Sequence, residues 1–379
     1  MREGWAQTTL GDVAEYVNGY PFKPEELGDE GLPVIRIKQL LDPNEPVDRS
    51  AVSAPDRCRL TNGDIVFSWS GTLAVRKWDR GTALLNQHLF RVIEKPGVNR
   101  DWLAIALDYA LTELGEKSHG TTMKHITKQT LLPHKLSLPP LAEQRRIVDM
   151  IESVDNYITA LETRAETTRT ARSALLHHLL SNPGPDWVET TLGDVADYVN
   201  GFPFKPSDLG DFGLPVIRIK QLLDPLEPAD RSEIATPERC HLRDGDIVFS
   251  WSATIAVRRW ERGAALLNQH LFRVLEKPGV DRSWLIAVLD HAITELEEKS
   301  HGTTMKHITK QTLLPHRVFL PPLIEQKRIA EVVESIDRSV SLNDDALISA
   351  RNLRTALLSD LLTGNHEIPA SYDQLLGAA

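Results

Sequence analysis

With 379 residues, 41% of them hydrophobic and 25% charged, the chain has the composition of a globular protein long enough for two domains or three. No apolar run approaches the ~18 residues that would span a membrane, and the opening Met1-Arg2-Glu3-Gly4-Trp5 lacks the apolar core of a secretory signal. Cys58 and Cys240 allow at most one bridge and have no CxxC spacing, which excludes a disulfide framework or a cysteine-built zinc site and fits a reducing cytoplasm.

The formal net charge of −10 argues at first against a nucleic-acid partner. The deficit is spread thinly, however, and is deepest in residues 323–379. Residues 117–142 hold four lysines, three histidines and no acid, and residues 299–324 repeat this with three lysines and Arg317. Local fields, more than the total, decide where phosphate docks.

In chain order, short apolar runs at residues 34–37 and 64–69, set between Gly, Pro and Asp, predict strands. Residues 101–111 have helical spacing. After Pro139-Pro140, apolar positions spaced by four and three run through Ile147, Ile151, Val154, Ile158, Leu161, Ala165, Thr168, Arg172, Leu175 and Leu179. This predicts a heptad seam with polar interruptions on a helix of about 40 residues, or ~60 Å. The whole series then returns. Trp5 matches Trp187, and an offset of 182 residues holds without a gap through the last helix, where Ile329 to Leu361 repeats the seam. Gly31–Pro43 recurs unchanged at Gly213–Pro225, Gly63–Ser70 at Gly245–Ser252, Leu84–Val92 at Leu266–Val274, and Lys117–His134 at Lys299–His316. Each unit is too long for a solenoid repeat and is expected to hold its own core.

The two helices are expected to pair antiparallel and hold the globules apart, the alternative being that each folds back on its own globule. The expected fold class is α+β: two mixed α/β globules separated by a pair of long antiparallel coiled-coil helices, with a pseudo-two-fold internal repeat. The expected boundaries are 1–140, 141–186, 187–322 and 323–379, globule and helix in alternation.

Enzyme motifs are lacking: no GxxxxGK before Ser or Thr, no GxSxG, HExxH or GxGxxG, and no Asn-Pro-Pro-aromatic tetrad. His119 and His125, like His301 and His307, flank Gly-Thr-Thr-Met-Lys, and with His88 or His270 would make a metal or acid–base cluster. No nearby carboxylate supports that reading. The stretch from Gly120 to Lys128 reads better as a turn entering a short helix. Thr121, Thr122, Lys124 and Lys128, with Thr303, Thr304, Lys306 and Lys310 in the copy, would form an anion-binding nest for phosphate, against the alternative of plain capping on a solvated face.

A second candidate is the strand end and loop from Ser68 to Trp78. Ser68, Ser70, Thr72, Arg76 and Lys77, and their copies Ser250, Ser252, Thr254, Arg258 and Arg259, offer small donors and cations suited to groove edges. Ala253 stands where Gly71 does, so this turn is not expected to require glycine. Trp69 and Trp78 fit core packing better than base stacking. Arg36 and Lys38, with Arg218 and Lys220, alternate with apolar neighbours and suit either a solvent face or DNA contacts.

Leu138–Ile147 and Leu320–Ile329, reading Leu-Pro-Pro-Leu-x-Glu-Gln, resemble the junction opening the helices of type I restriction-modification specificity subunits. The opening Trp with Thr-Leu-Gly-Asp-Val-Ala-x-Tyr-Val-Asn-Gly resembles the start of their target-recognition domains. Gly-Asp-Ile-Val-Phe-Ser-Trp-Ser, Asn-Gln-His-Leu-Phe-Arg-Val and Gly-Thr-Thr-Met-Lys-His-Ile follow in the family's order, twice. The resemblance implies a protein without catalysis or cofactor of its own. Two recognition domains would each read half of a bipartite site in double-stranded DNA, and the paired helices would act as spacer. It further implies two methyltransferase subunits using S-adenosylmethionine, and restriction subunits driven by ATP and Mg. Two nearly identical recognition domains imply an interrupted palindrome. Other readings are the same fold in a different phage-defence modification complex, or a duplicated histidine-based enzyme.

Overall fold

A computed structural model of the chain describes residues 2, 4–117, 126–299 and 308–376. The first copy contains strands β1 (Ala6–Thr9), β2 (Ala14–Asn18), β3 (Leu32–Ile35), β4 (Arg49–Ser50), β5 (Arg59–Leu60), β6 (Ile65–Ser68), β7 (Ala74–Lys77), β8 (Ala83–Leu85), β9 (Leu89–Glu94) and β10 (Lys135–Leu138). Its helices are α1 (Leu10–Val13), α2 (Ile37–Leu41), α3 (Arg100–Lys117), α4 (Lys128–Leu131) and α5 (Leu141–Ser181). The second copy repeats them as β11–β20, from Val188–Thr191 to Arg317–Leu320, and α6–α10. Of these, α7 (Ile219–Leu223), α8 (Arg282–Lys299), β16 (Ile247–Ser250), β17 (Ala256–Arg259) and α10 (Leu323–Thr363) matter below. Among the described residues, no helix is long and apolar enough to cross a membrane.

Each globule has two small sheets. Strands in the order β2-β9-β6-β7 form an antiparallel sheet, and β4-β3-β8-β5 a mixed one in which β3 and β8 run parallel. β6 lies between two apolar layers, so all its residues are buried. Alternation sends Ile65 and Phe67 into the core beneath α3, and Val66 into the cluster under the second sheet with Ile35, Leu40 and Trp78. β1 closes antiparallel on β10, Ala6 opposite Leu138.

That closure leads straight into α5, and the physical content of the Pro-Pro-Leu-x-Glu-Gln junction is a set of buried hydrogen bonds. Gln144 is fully buried; its amide donates to the carbonyls of Pro139 (2.8 Å) and Gly97 (3.1 Å) and accepts from the Asn99 backbone N–H (2.6 Å). Glu143 accepts from the Trp5 indole at 2.9 Å and pairs with Arg2 at 2.5 Å. Gln326, Glu325 and Trp187 repeat the arrangement, the indole bond again 2.9 Å.

The chain divides into two compact units, one of residues 1–161 and 346–379, the other of residues 162–345. Each therefore takes a globule, the first half of its own helix and the second half of the other copy's helix. In the first unit, Ile147, Val148 and Ile151 of α5 enter the globule core together with Leu358, Leu361 and Leu362 of α10 and Ile368 beyond it. In the second, Ile329, Ala330 and Val333 of α10 do so together with Leu176 of α5. Within each unit the two helix halves pack antiparallel. Ile158 and Leu161 meet Ala350 in the first, and Asn343 donates to the Thr168 hydroxyl at 2.9 Å in the second. Pairing and packing on a globule, alternatives from the sequence, thus occur on the same helix. The expected seam also slips near the helix ends. Leu176 and Leu358 are the buried positions rather than Leu175 and Leu357, because those turns face a globule instead of a single helix groove.

Besides Thr168 and Asn343, the polar interruptions of the seam are the arginines, which form ion pairs. Arg172 of α5 donates to Asp290 of α8 at 2.6 Å and to Asp337 of α10. At the matching position Arg354 binds Asp155 through two nitrogens. Asp108, the equivalent of Asp290, is drawn downward by Arg354 and Arg76, but desolvation is the larger influence and leaves its carboxyl above the usual range.

Candidate nucleic-acid interface

The β6–β7 hairpin has four ladder pairs, from Ser68 opposite Ala74 to Ile65 opposite Lys77, so its two ends carry different chemistry. At the loop end, Gly71 takes φ 66° and Ala253 takes φ 58°. Both copies thus use the left-handed region: the turn does not strictly require glycine, but Ala253 adopts the conformation at a cost. A Cβ on Gly71 would lie 3.9 Å from Ile37, which places the start of α2 beside this loop. Lys38 and Thr72 are exposed there, as are Lys220 and Thr254. Ser68 and Ser250 are not available to a ligand. Both are fully buried, and the Ser68 hydroxyl donates to the Thr72 carbonyl at 2.7 Å, a bond that Ser250 repeats to Thr254. Ser70 and Ser252 are likewise buried. These four serines shape the loop from inside.

The β8–β9 turn joins the same end. His88 lies against Trp69 with ring centroids 5.9 Å apart, and His270 against Trp251 at 5.7 Å. The Ile126 N–H donates to the Trp69 carbonyl at 2.9 Å, so the chain comes back to this loop where α4 is about to begin. Thr121, Thr122, Lys124, Thr303, Thr304 and Lys306, with His119, His125, His301 and His307, lie outside the described residues. Lys128 and Lys310 are turned back on the globule. The Lys128 ammonium donates to the Tyr16 carbonyl at 2.6 Å and lies 5.1 Å from the Phe90 ring; Lys310 does the same with Tyr198 and Phe272.

The cations favoured for groove edges sit at the other end of the hairpin, drawn to the helices. Lys77 pairs with Asp101 of α3 at 2.6 Å, and Arg259 donates to Ser283 of α8 at 2.5 Å and approaches Glu334 of α10 at 3.5 Å. Arg76 and Arg258 each donate to the carbonyl of the preceding residue, Val75 or Val257. Arg258 and Arg259 line a groove of about 910 Å³ with Arg172, Asp290, Glu334 and Asp337, in which both signs of charge already face each other. Arg36 and Arg218 are paired with Asp48 (2.6 Å) and Asp230 (2.7 Å). Carboxylates opposite these guanidinium groups account for what residue type alone did not show.

The type I restriction modification DNA specificity domain matches residues 2–168 and 185–350. The chain belongs to this family. It is 23% identical to the type I restriction enzyme MjaVIII specificity subunit of Methanocaldococcus jannaschii, over 96% of this chain and 93% of that one. To the type I restriction enzyme EcoBI specificity subunit of Escherichia coli it is 22% identical, over 96% and 86%. Among solved structures, a chain described under complex assembly and conformational transition of the type I R-M system superposes with TM-score 0.64 at 21% identity, covering 97% of this chain and 99% of that one. The S subunit from M. genitalium superposes with TM-score 0.55 at 15% identity, covering 96% and 97%. The doubled globule and long helix are thus the fold of this specificity family.

In this family member Cys58 and Cys240 are free and buried, each thiol directed at the carbonyl of Asn18 or Asn200, and burial pushes both thiols up. Among the described residues, no group of three or more His, Cys, Asp or Glu is placed to hold a metal ion. The turn at Gln87 and Gln269 is the feature that sequence reasoning passed over. The signal was present, since Asn-Gln-His lies inside a stretch repeated unchanged, but its exposure at the loop end is visible only in three dimensions.

Proposed function

We propose that the chain is the sequence-reading subunit of a type I restriction-modification enzyme, without catalysis of its own, acting in the cytoplasm. Each globule, 1–140 and 187–322, reads half of a bipartite site in double-stranded DNA. The helical segments, 141–186 and 323–379, space the globules and carry two methyltransferase subunits and, through them, restriction subunits. S-adenosylmethionine, ATP and Mg serve those partners. The observation that carries this reading is the loop end itself: Thr72, Lys38 and the Asn86–His88 turn meet there, and the second globule presents the same residue types. Exposed small donors and cations on tight loops suit groove recognition.

The half-sites follow from the repeat. Globules with matching loops read nearly the same bases, so the target is an interrupted palindrome with a gap set by the helices. Phosphate contacts are assigned to Lys38 and Lys220, together with Lys124 and Lys306. Methylation profiling of DNA from cells producing the chain with its methyltransferase subunits tests the reading. A single interrupted, palindromic motif is expected, and methylation by the chain alone would overturn it. Lys38→Ala with Lys220→Ala should weaken binding on all sequences alike, lowering the salt slope by about one for each phosphate no longer bound.

A further inference from the structure

We infer that Gln87 and Gln269 read a base edge, the same position in each half-site, with the donor–acceptor pair of their side-chain amides. This rests on the DNA-reading function proposed above and names a residue that carries its specificity.

The turn holding Gln87 is rigid. The Asn86 N–H donates to the Ile35 carbonyl at 3.0 Å, the Gln87 N–H to the Tyr20 carbonyl at 3.1 Å, and the His88 N–H to the Asn86 side chain at 3.3 Å. Gly19 packs so closely that a Cβ there would stand 2.2 Å from the Asn86 carbonyl oxygen, so the turn has no room to slide toward β2. The second copy reproduces each restraint: Asn268 to Ile217 at 3.0 Å, Gln269 to Phe202 at 3.0 Å, and Gly201 against Asn268 at 2.2 Å. There the Trp251 indole adds a bond to the Gln269 carbonyl at 3.3 Å. A backbone held from several sides leaves only the rotamers of the side chain itself to be ordered on binding.

The side chain on this support is unused. Among the described residues, the exposed side-chain amides of Gln87 and Gln269 make no hydrogen bond within the protein, whereas the buried glutamines of both copies are committed. Gln39 and Gln221 donate to the carbonyls of Pro46 and Pro228 at 2.6 Å, and Gln144 and Gln326 hold the helix junctions. His88, beside Gln87, is engaged by the Trp69 face. An amide offers one donor and one acceptor side by side, complementary to the N7 acceptor and N6 donor that adenine shows in the major groove.

The test uses the chain produced with its methyltransferase subunits in a methylation-free host, read by methylation sequencing. Gln87→Ala should relax one base position in one half-site, by on the order of tenfold to a hundredfold in preference, and leave the other half-site intact. Gln269→Ala should give the same one-sided relaxation, because the half-sites of a palindrome are interchangeable, and the double variant should relax both at once. Gln87→Glu, an acceptor only, should shift that position toward cytosine, whose N4 is a donor. An unchanged motif in all variants overturns the inference. So does a uniform loss of methylation without change of motif, which would mark a structural role. If the wild-type complex methylates no motif, it is the DNA-reading function itself that fails.

Discussion

The two globules carry almost the same sequence and the two long helices much less so, and the places where the copies part are informative. At the globule–helix contact, the first unit joins Tyr109 of α3 to Ser359 of α10 by a hydroxyl bond of 3.2 Å. The second puts His291 of α8 and His177 of α5 around Ser181, each ring nitrogen 3.2 Å from its hydroxyl, with His316 at 3.7 Å from Glu295. At the tip of the hairpin, Gly71 of the first copy corresponds to Ala253 of the second. In the seam, Arg172 holds two carboxylates by hydrogen bonds where Arg354 holds one. The apolar cores around Trp102 and Trp284 match at most positions and stay apolar where they differ, as at Ala106 and Val288 or Val148 and Ala330. Polar contacts at the helix surface have changed in chemical type, whereas the packed interior has changed only from one apolar side chain to another, as expected where volume is constrained and a hydrogen bond has several chemical solutions.

The largest effects should therefore be equal in the two units. Trp102 and Trp284 are almost wholly buried beneath the first sheet of each globule. Alanine at either should cost about 3–5 kcal/mol through the cavity it leaves, and the two losses, followed by chemical denaturation, should agree. A clear inequality would show that the cores are less alike than their residues suggest.

The seam arginines should be unequal. Removing Arg172 takes the hydrogen-bonded cation from both Asp290 and Asp337, whereas removing Arg354 takes it from Asp155 alone. Because these side chains are partly exposed, solvent screens much of the loss. Arg172→Met should cost about 1–2 kcal/mol and Arg354→Met about half as much, on the scale of partly screened ion pairs. Thermal unfolding of the two variants would rank them, and the reverse order would break the comparison.

The seam also marks what can be read in a linear chain. The offset of 182 residues, the strands around Phe67, the long helices and the junction at Glu143-Gln144 are all visible in residue pattern, because apolar period and proline act locally. Periodicity shows that a helix face is buried but not what covers it. Hence the exchange of helix halves between units, and the shift from Leu175 to Leu176, emerge only in space. At the site, residue type shows the chemistry but not its setting. Ser68 is buried, and the exposed Lys77 and Arg259 have partners in Asp101 and Ser283, neither of which residue type alone reveals.

The smallest effect isolates a single backbone angle. Gly71 and Ala253 occupy the same left-handed position, where an L side chain is disfavoured by roughly 1–2 kcal/mol. At Gly71 the added methyl would touch only Ile37, at an ordinary 3.9 Å, so backbone conformation alone sets the cost. Alanine also restricts the unfolded chain, which returns part of it, about 0.4–1 kcal/mol. Gly71→Ala should therefore destabilise by about 0.5–1 kcal/mol, and Ala253→Gly should stabilise by a similar amount. The swap of both residues should leave total stability near wild type, because the two sites lie in different units and share no partner. If Ala253→Gly instead lowered stability, the second loop would owe its form to the methyl group. The two hairpin loops would then differ in construction as well as in sequence.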